Sequence, residues 1–184
     1  MLGEFPLNIQ PILLGQAPSA QGDGRPFTGP SGKTVCKWLG VEGREQLAEY
    51  FYLENLLPHP LPRNSDERRK SSQLTPAQAR LGAKNFLTRT RFRLRKDLGS
   101  EGYTKFIDQS RFLLVVVLGT KVWRGFNLPS HDEWFTERLI SDEFMMVKFP
   151  HPSGLNHELN DPDFVRETAR HLRSIALHRQ QTIK

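Results

Sequence analysis

Four short segments of mostly apolar residues predict the strands of a buried sheet. They span residues 11–14, 50–53, 112–118 and 144–149, and the third is made almost entirely of leucine and valine. A nearly continuous apolar run is typical of a strand that is covered on both faces, as in a parallel α/β sheet. The third run is also far shorter than the roughly 20 residues of a membrane span, so we expect no membrane association.

Helical patterns lie between these segments. Ser31 is expected to cap a first helix, and Thr75 followed by Pro76 predicts the start of a second, which reaches about Leu98. An aspartate–proline pair at 161–162 opens the last helix. The apolar side of that helix combines Phe164, Val165, Thr168, Leu172, Ile175 and Ala176. Alternation of strands and helices favours a mainly parallel sheet in the α/β class.

Composition narrows the class of protein. The chain has 184 residues, which predicts a single domain over residues 1–184. Its one cysteine, Cys36, excludes an internal disulfide and a four-cysteine metal or iron–sulfur site built by one chain. The histidines show no metal-ligand spacing, so we expect no metal and no cofactor. The first residues lack a basic region before an apolar stretch, which predicts an intracellular protein without a signal peptide.

The charge balance permits nucleic acid as a partner. Lysine and arginine number 26 against 20 aspartates and glutamates, which gives a net charge of +6. A basic balance is compatible with nucleic-acid binding but does not establish it. The series Arg89, Arg91, Arg93, Arg95 and Lys96 either lines a DNA-facing surface or forms a solvated helix face.

Polar and glycine-rich segments follow the predicted strands. They are residues 15–33, Asn55 and residues 151–156. Ligands of a parallel α/β sheet bind at the carboxyl ends of its strands, so a site is expected here. Each residue type is also common in ordinary turns. A nucleotide-binding P-loop is excluded, because segment 29–34 has two residues where that motif needs four between its first glycine and Gly-Lys.

Taken together, these segments resemble the motifs of the uracil-DNA glycosylase superfamily. LGQAPSAQGDGRPFTGPSGKTV at residues 14–35 resembles the first motif of its family 4 and family 5 enzymes, and HPSGLN at 151–156 resembles the second. ENLLPHPLPRN, the later LTPAQARLGAKNFL, and FLLVVVLG resemble the middle of those enzymes. The resemblance spans residues 10–177. It implies a three-layer α/β/α sandwich with a central, mainly parallel four-stranded sheet.

The same resemblance implies a monofunctional DNA N-glycosylase. Such an enzyme flips uracil or another deaminated base out of DNA and hydrolyses its N-glycosidic bond, the first step of base excision repair. On the matching positions, Phe27 would stack on the flipped base, although core packing is its alternative role. Asn55 would read the base edge with a donor and an acceptor, with Gly15 and Ala17 beside it. His151 would donate to O2 of the departing base.

The DNA-binding residues that the resemblance implies fall into two groups. One would hold a phosphate at a helix N-terminus and comprises Ser31, Gly32 and Lys33. The other would form the loop that presses into the minor groove and comprises Pro152, Ser153, Gly154 and Leu155. Leu155 would fill the gap left by the flipped base. The expected partner is DNA with a damaged base, bound by a monomer.

Two departures from the family pattern concern chemistry. Family 4 enzymes hold a four-cysteine iron–sulfur cluster, which Cys36 alone cannot bind. The acid that positions the attacking water is also missing, because Gln16 and Ala17 occupy positions where relatives carry a carboxylate. Asp23 is the nearest substitute. Alternatively, Gln16 orients the water through its amide and catalysis is weaker, since a general base contributes about 10²–10⁴-fold.

These departures leave two alternatives to a glycosylase. One is a weakly active or inactive superfamily member that binds DNA or a modified nucleotide without cleavage. The missing acid favours it, whereas Phe27 and His151 oppose it. The other is an enzyme of free nucleotides or nucleosides, which would require that the Leu155 loop does not face a DNA groove.

Overall fold

A computed structural model of the chain describes residues 9–19, 23–61, 74–108, 112–153 and 156–181. The strands are β1 Ile12–Gly15, β2 Tyr52–Asn55, β3 Leu113–Leu118, β4 Glu137–Ser141 and β5 Phe144–Phe149. The helices are α1 Pro30–Leu39, α2 Arg44–Tyr50, α3 Pro76–Asp108, α4 Thr120–Gly125 and α5 Pro162–Gln181. A short 3-10 helix, His157–Asn160, lies between β5 and α5.

The strands form one sheet in the order β2-β1-β3-β5-β4. The four predicted segments supply its parallel part, β2, β1, β3 and β5, which confirms the α/β class and the mainly parallel sheet. The expected number of four strands is wrong, because β4 pairs antiparallel with β5 as a fifth, outer strand. That strand is largely exposed and carries polar side chains, so it leaves no apolar run in the sequence.

The sheet separates two hydrophobic cores. Side chains of β1 alternate between them, with Leu13 in one core and Ile12 and Leu14 in the other. The core of Leu13 is completed by α1, α2 and α5, where Leu172 is fully buried. The opposite core is completed by α3 and α4. Helices therefore cover both faces of the sheet, which confirms the three-layer α/β/α arrangement.

The helix boundaries follow local sequence signals in most places. Thr75 and Gln78 form a reciprocal capping pair at the start of α3, where the Gln78 N–H donates to Thr75 Oγ1 at 3.2 Å and the Thr75 N–H donates to Gln78 Oε1 at 3.0 Å. The expected cap at Ser31 is wrong. Gly29 occupies the cap of α1, since Pro30 already fits the first helical position without an N–H to donate.

Two predicted boundaries change in the structure. Helix α3 breaks near its predicted end, at Gly99, whose φ of +67° interrupts the helical geometry before residues 100–108 resume it. Residues 124–133, whose glycine, asparagine, proline and serine predict a loop, begin inside α4. Residues 57–72, whose proline, arginine and serine also predict a loop, lie outside the described residues from position 62 onward. None of the described helices is long and apolar enough to cross a bilayer.

Candidate active site

Three predicted residues meet at the carboxyl ends of β1 and β2. Gly15 and Asn55 are register partners, each at the last position of its strand. A Cβ built on Gly15 would lie 2.8 Å from Asn55 Oδ1 and 3.2 Å from Phe27 Cζ. The Asn55 amide and the Phe27 ring therefore both border the space that a side chain at position 15 would fill. The sequence predicted all three residues, and the structure brings them together.

The loop before α1 holds the backbone of Phe27 in a conformation that residues other than glycine rarely adopt. Its φ is +62°, in the left-handed region that is disfavoured for a bulky residue. Arg44 Nε donates to the Pro26 carbonyl at 2.8 Å, and Thr28 Oγ1 donates to the Arg25 carbonyl at 3.2 Å. Strain of this kind costs about 1–3 kcal/mol and persists where the surroundings fix it, often at functional sites. The Phe27 ring remains half-buried beside Gly15.

The amide of Asn55 is buried without a complete set of partners. The residue is only 8% exposed, and its Nδ2 finds no hydrogen-bond partner among the described residues. An unsatisfied buried donor costs about 1–3 kcal/mol. The backbone beside it is fixed, because the Leu56 N–H donates to the Gly15 carbonyl at 2.8 Å. Asn55 therefore presents a rigidly held donor that a bound ligand would satisfy.

His151 stands at the same edge of the sheet, just beyond β5. Gly119, directly after β3, has a φ of +94°, and a Cβ on it would lie 3.0 Å from His151 Cβ and Cδ2. Glycine is needed there for both its backbone angle and the close approach of the imidazole. Burial lowers the pKa of His151, and the positive charge of Lys121 lowers it further. The imidazole is therefore neutral at pH 7.

The turn after His151 is closed by Asn156. Its Nδ2 donates to the His151 carbonyl at 3.3 Å, and its Oδ1 accepts from the Glu158 N–H at 3.3 Å. Pro152 is buried and Ser153 is half-buried at the start of this turn. The predicted groove-contacting residues Gly154 and Leu155 lie outside the described residues.

The candidates for positioning water have different surroundings. Gln16 and Ala17 follow Gly15 directly and are half-buried. Asp23 lies on the exposed side of the loop, where Oδ1 accepts the Arg25 N–H at 3.0 Å and Oδ2 pairs with the Arg25 guanidinium. Hydrogen bonds from the backbone and side chain of Arg25 hold the pKa of Asp23 below its usual value. Asp23 is thus ionised and already engaged.

The predicted phosphate contacts sit on the first turn of α1. Both the Gly32 and the Lys33 N–H donate to the Gly29 carbonyl, at 3.0 and 3.3 Å, so these donors are engaged within the helix. Gly32 is buried under the loop, and a Cβ there would lie 1.9 Å from the Phe27 carbonyl oxygen. Its absent side chain lets the Phe27 loop pack on the helix. Lys33 is exposed, and Ser31 is half-buried.

A comparison with protein families agrees with this arrangement. The profile described as the Uracil DNA glycosylase superfamily matches residues 2–173 of the 184. The chain belongs to the uracil DNA glycosylase superfamily. Superfamily members generally hydrolyse N-glycosidic bonds and act on DNA. A comparison with curated proteins gave no match.

This superfamily member shows no sign of a metal centre in the part of the chain that the structure describes. No group of histidine, cysteine, aspartate and glutamate there could hold a metal ion. Cys36 is buried in α1 as a free thiol. Burial raises the pKa of this thiol, so it behaves as an apolar core residue.

Some site residues were not singled out from the sequence. Gly119 is the last residue of the segment FLLVVVLG, and its close approach to His151 left no signal in the sequence. Asn156 was part of a motif without a role, and Lys121 gave no signal. The arginine series of α3 also has contacts that the sequence did not reveal. Four of its members contact the protein itself, through the pairs Arg89–Glu54, Arg91–Glu143, Arg93–Tyr52 and Arg95–Tyr103.

Proposed function

We propose that this chain is a monofunctional DNA glycosylase that flips uracil or another deaminated base out of DNA and hydrolyses its N-glycosidic bond. The observation that carries this proposal is the convergence of Gly15, Phe27 and Asn55 at the sheet edge where His151 also stands. An aromatic face, an unsatisfied amide and a neutral imidazole suit a planar base with polar edges. Superfamily membership supplies the reaction class.

The base would be held by stacking and by its edge. The Phe27 ring offers one face, and stacking of a base on an aromatic side chain is worth about 1–3 kcal/mol. Asn55 would donate from Nδ2 to O4 of uracil and accept the N3–H at Oδ1. This pairing would satisfy the buried Nδ2. A base with the opposite donor and acceptor order would leave it unsatisfied, which is a strong source of discrimination.

His151 would stabilise the charge that develops on the departing base. As the bond to the sugar breaks, negative charge grows on the base, and a positioned donor aimed at O2 lowers the barrier. The neutral imidazole can donate one hydrogen bond without first gaining a proton. Lys121 adds a positive charge nearby, which disfavours imidazolium and favours an anionic leaving group. The same electrostatic environment therefore keeps His151 neutral and assists departure.

Water would be oriented by Gln16 or by Asp23. Gln16 directly follows Gly15 and is half-buried, whereas both carboxylate oxygens of Asp23 already face Arg25. The position of Gln16 directly beside Gly15 favours it as the group that orients the water. An amide is a poorer base than a carboxylate, so we expect slow chemistry. If Asp23 is the acid instead, Asp23→Asn slows excision more than Gln16→Ala does.

DNA would be held around the same edge. The proposed phosphate contacts are Ser31, Gly32 and Lys33, of which Lys33 has the exposed charge. Pro152, Ser153, Gly154 and Leu155 would press into the minor groove, with Leu155 in the place of the base. The whole chain would act as one domain and as a monomer on intracellular DNA.

Binding without cleavage is the second candidate. It is favoured by the engaged state of Asp23 and by the absence of a carboxylate at positions 16 and 17. A member of this kind would still stack a base on Phe27 and read it with Asn55. It would differ from the glycosylase in one measurable way, because it would leave the glycosidic bond intact.

Excision from defined oligonucleotides separates the two candidates. Labelled single- and double-stranded DNA would carry uracil, hypoxanthine, xanthine or a thymine mismatch, and alkali would cleave at each abasic site. We expect alkali-labile product with the wild-type chain and its loss in His151→Ala. Normal DNA binding with no abasic product at high enzyme concentration would contradict the glycosylase and support the binding protein.

A further inference from the structure

Arginines of α3 reach across to the strand that carries Asn55. Arg89 Nε pairs with Glu54, and Arg89 Nη2 donates to the backbone oxygen of Asn55 at 2.8 Å. The Arg93 guanidinium lies 3.6 Å over the Tyr52 ring, and its Nη1 is 3.8 Å from Glu54 Oε2. Both arginines therefore contact β2, from Tyr52 at its start to Asn55 at its end.

The carbonyl of Asn55 needs such a partner. β2 is an edge strand, with β1 on one side only. The Tyr52 N–H donates to the carbonyl of Pro11, just before β1, and the Leu56 N–H donates to that of Gly15 at the end of β1. Successive residues of a strand direct their backbone groups to opposite sides, so the carbonyl of Asn55 faces the free edge. The guanidinium of Arg89 takes the place that a neighbouring strand would otherwise fill.

The side chain and the carbonyl of Asn55 are contacted from opposite faces of the sheet. Its side chain meets Gly15 and Phe27 at the carboxyl edge, on the α1 side of the sheet. Its carbonyl is held from the opposite side by Arg89, whose fork also engages Glu54, a side chain that is 14% exposed. A planar guanidinium binds both groups at once, which a lysine ammonium does not reproduce.

We propose that Arg89 is a positioning residue that fixes the end of β2 and thereby aims the Asn55 amide at the base. This inference rests on the proposed function, because it gives Asn55 the role of base reader. Arg89 itself does not touch the base. Its effect on excision passes through Asn55, since the backbone that it holds carries that side chain.

A double-mutant cycle tests whether Arg89 acts through Asn55. Single-turnover excision of uracil at saturating enzyme would be compared for Arg89→Ala, Asn55→Ala and the double variant. Misplacing a reacting group by about 1 Å can cost roughly 100-fold in rate, so we expect Arg89→Ala to slow excision by about tenfold or more. In the Asn55→Ala background, we expect the same change to alter the rate by less than about twofold. An equal loss in both backgrounds, or wild-type excision by Arg89→Ala, would overturn the inference.

Two further variants separate positioning from general loss of fold. Arg91→Ala is the matched control, because Arg91 lies one half-turn along α3 and pairs with Glu143 in the turn before β5 instead. We expect it to leave the rate of excision near that of the wild type at a temperature where the variant is folded. Arg89→Lys keeps the positive charge and replaces Arg89→Ala as the test variant if the alanine variant does not fold. We expect the lysine variant to excise more slowly than the wild type. A wild-type rate of excision by Arg89→Lys would overturn the role of the planar guanidinium in binding Glu54 and the Asn55 carbonyl at once.

An NMR measurement tests the positioning role of Arg89 independently of any excision activity. The side-chain NH₂ signal of Asn55 in an NMR spectrum is identified by its loss in Asn55→Ala. We expect Arg89→Ala to shift that signal and the Asn55 carbonyl ¹³C, and Arg91→Ala to leave both unchanged. If the wild type excises nothing, the glycosylase proposal fails while these shifts still support positioning. Unchanged signals in Arg89→Ala would overturn positioning alone.

Discussion

Replacing Gly15 with alanine tests the shared space at the carboxyl edge by adding a single methyl group. The new Cβ would lie 2.8 Å from Asn55 Oδ1 and 3.2 Å from Phe27 Cζ. Ordinary contact for a Cβ begins near 3.4 Å, so the amide must move by about 0.6 Å and the ring by about 0.2 Å. A displacement of about 1 Å can cost roughly 100-fold in rate. We therefore expect Gly15→Ala to slow uracil excision by about tenfold.

The stability of this variant should change much less than its activity. Extra methyl groups in a packed region cost about 1–3 kcal/mol, and we expect the low end because Phe27 is only half-buried. Gly102→Ala is the matched control. Its Cβ meets nothing closer than Leu98 Cβ at 3.4 Å, and alanine favours a helix over glycine by about 0.5–1 kcal/mol.

Single-turnover excision and thermal unfolding, measured at the same pH, test whether Gly15→Ala affects activity more than stability. Both variants should be folded at the assay temperature, and only Gly15→Ala should be slow. Wild-type excision by Gly15→Ala would refute the idea that the base lies in the space between Asn55 and Phe27. A rate that falls only in proportion to the unfolded fraction would refute it as well, because the methyl group would then act on stability alone.

Three further predictions follow from the described contacts. Because burial lowers the pKa of His151, the single-turnover rate should stay constant from about pH 6.5 to 8.5, the side of the ordinary histidine pKa on which the imidazole is neutral; a steady decline above pH 6.5 would show that imidazolium is required. Phe27→Ala should slow excision while salt-dependent binding to undamaged DNA, measured by fluorescence anisotropy, stays nearly unchanged; a parallel loss of both would make Phe27 structural. Burial alone would raise the pKa of Glu143, but hydrogen bonds from Tyr103 and Arg91 lower it overall. Its carboxylate thus contributes stability above pH 4.5 that is lost as the pH falls through the lowered value. Glu143→Gln should therefore destabilise the fold at pH 7 by about 1–3 kcal/mol and flatten the acid dependence of thermal unfolding; a transition temperature that falls in acid as steeply as in the wild type would contradict this.

The strands β1, β3 and β5 could be predicted because burial on both faces selects apolar residues without interruption. The predicted run 112–118 contains the whole of β3. β4 could not be predicted in this way, since an exposed edge strand is under no such constraint and three of its five residues are exposed. Helix α2 was missed for a related reason. It is seven residues long and buries only Leu47, so it shows little periodicity.

The site was predictable where it depends on strand ends and not where it depends on contacts between distant residues. Gly15 and Asn55 each end a strand, and pairing in register brings them together. The approach of His151 to Gly119 requires a left-handed φ that a sequence does not display. The partners of the α3 arginines are also hidden, because Arg89 meets Glu54 across 35 positions and Arg91 meets Glu143 across 52.

The charges around the site indicate which half of the reaction this chain supports best. In the proposed reaction, a neutral His151 and the nearby cation Lys121 would both stabilise the base as it departs with negative charge. On the side of the sugar, positions 16 and 17 carry no charge, and the nearest carboxylate of the motif, Asp23, is exposed and paired with Arg25. A positive charge that develops on the sugar in the proposed reaction would therefore receive little compensation. The rate of such a site should depend strongly on how well the departing base bears its negative charge, which favours bases with acidic ring nitrogens such as uracil over bases that are poorer leaving groups.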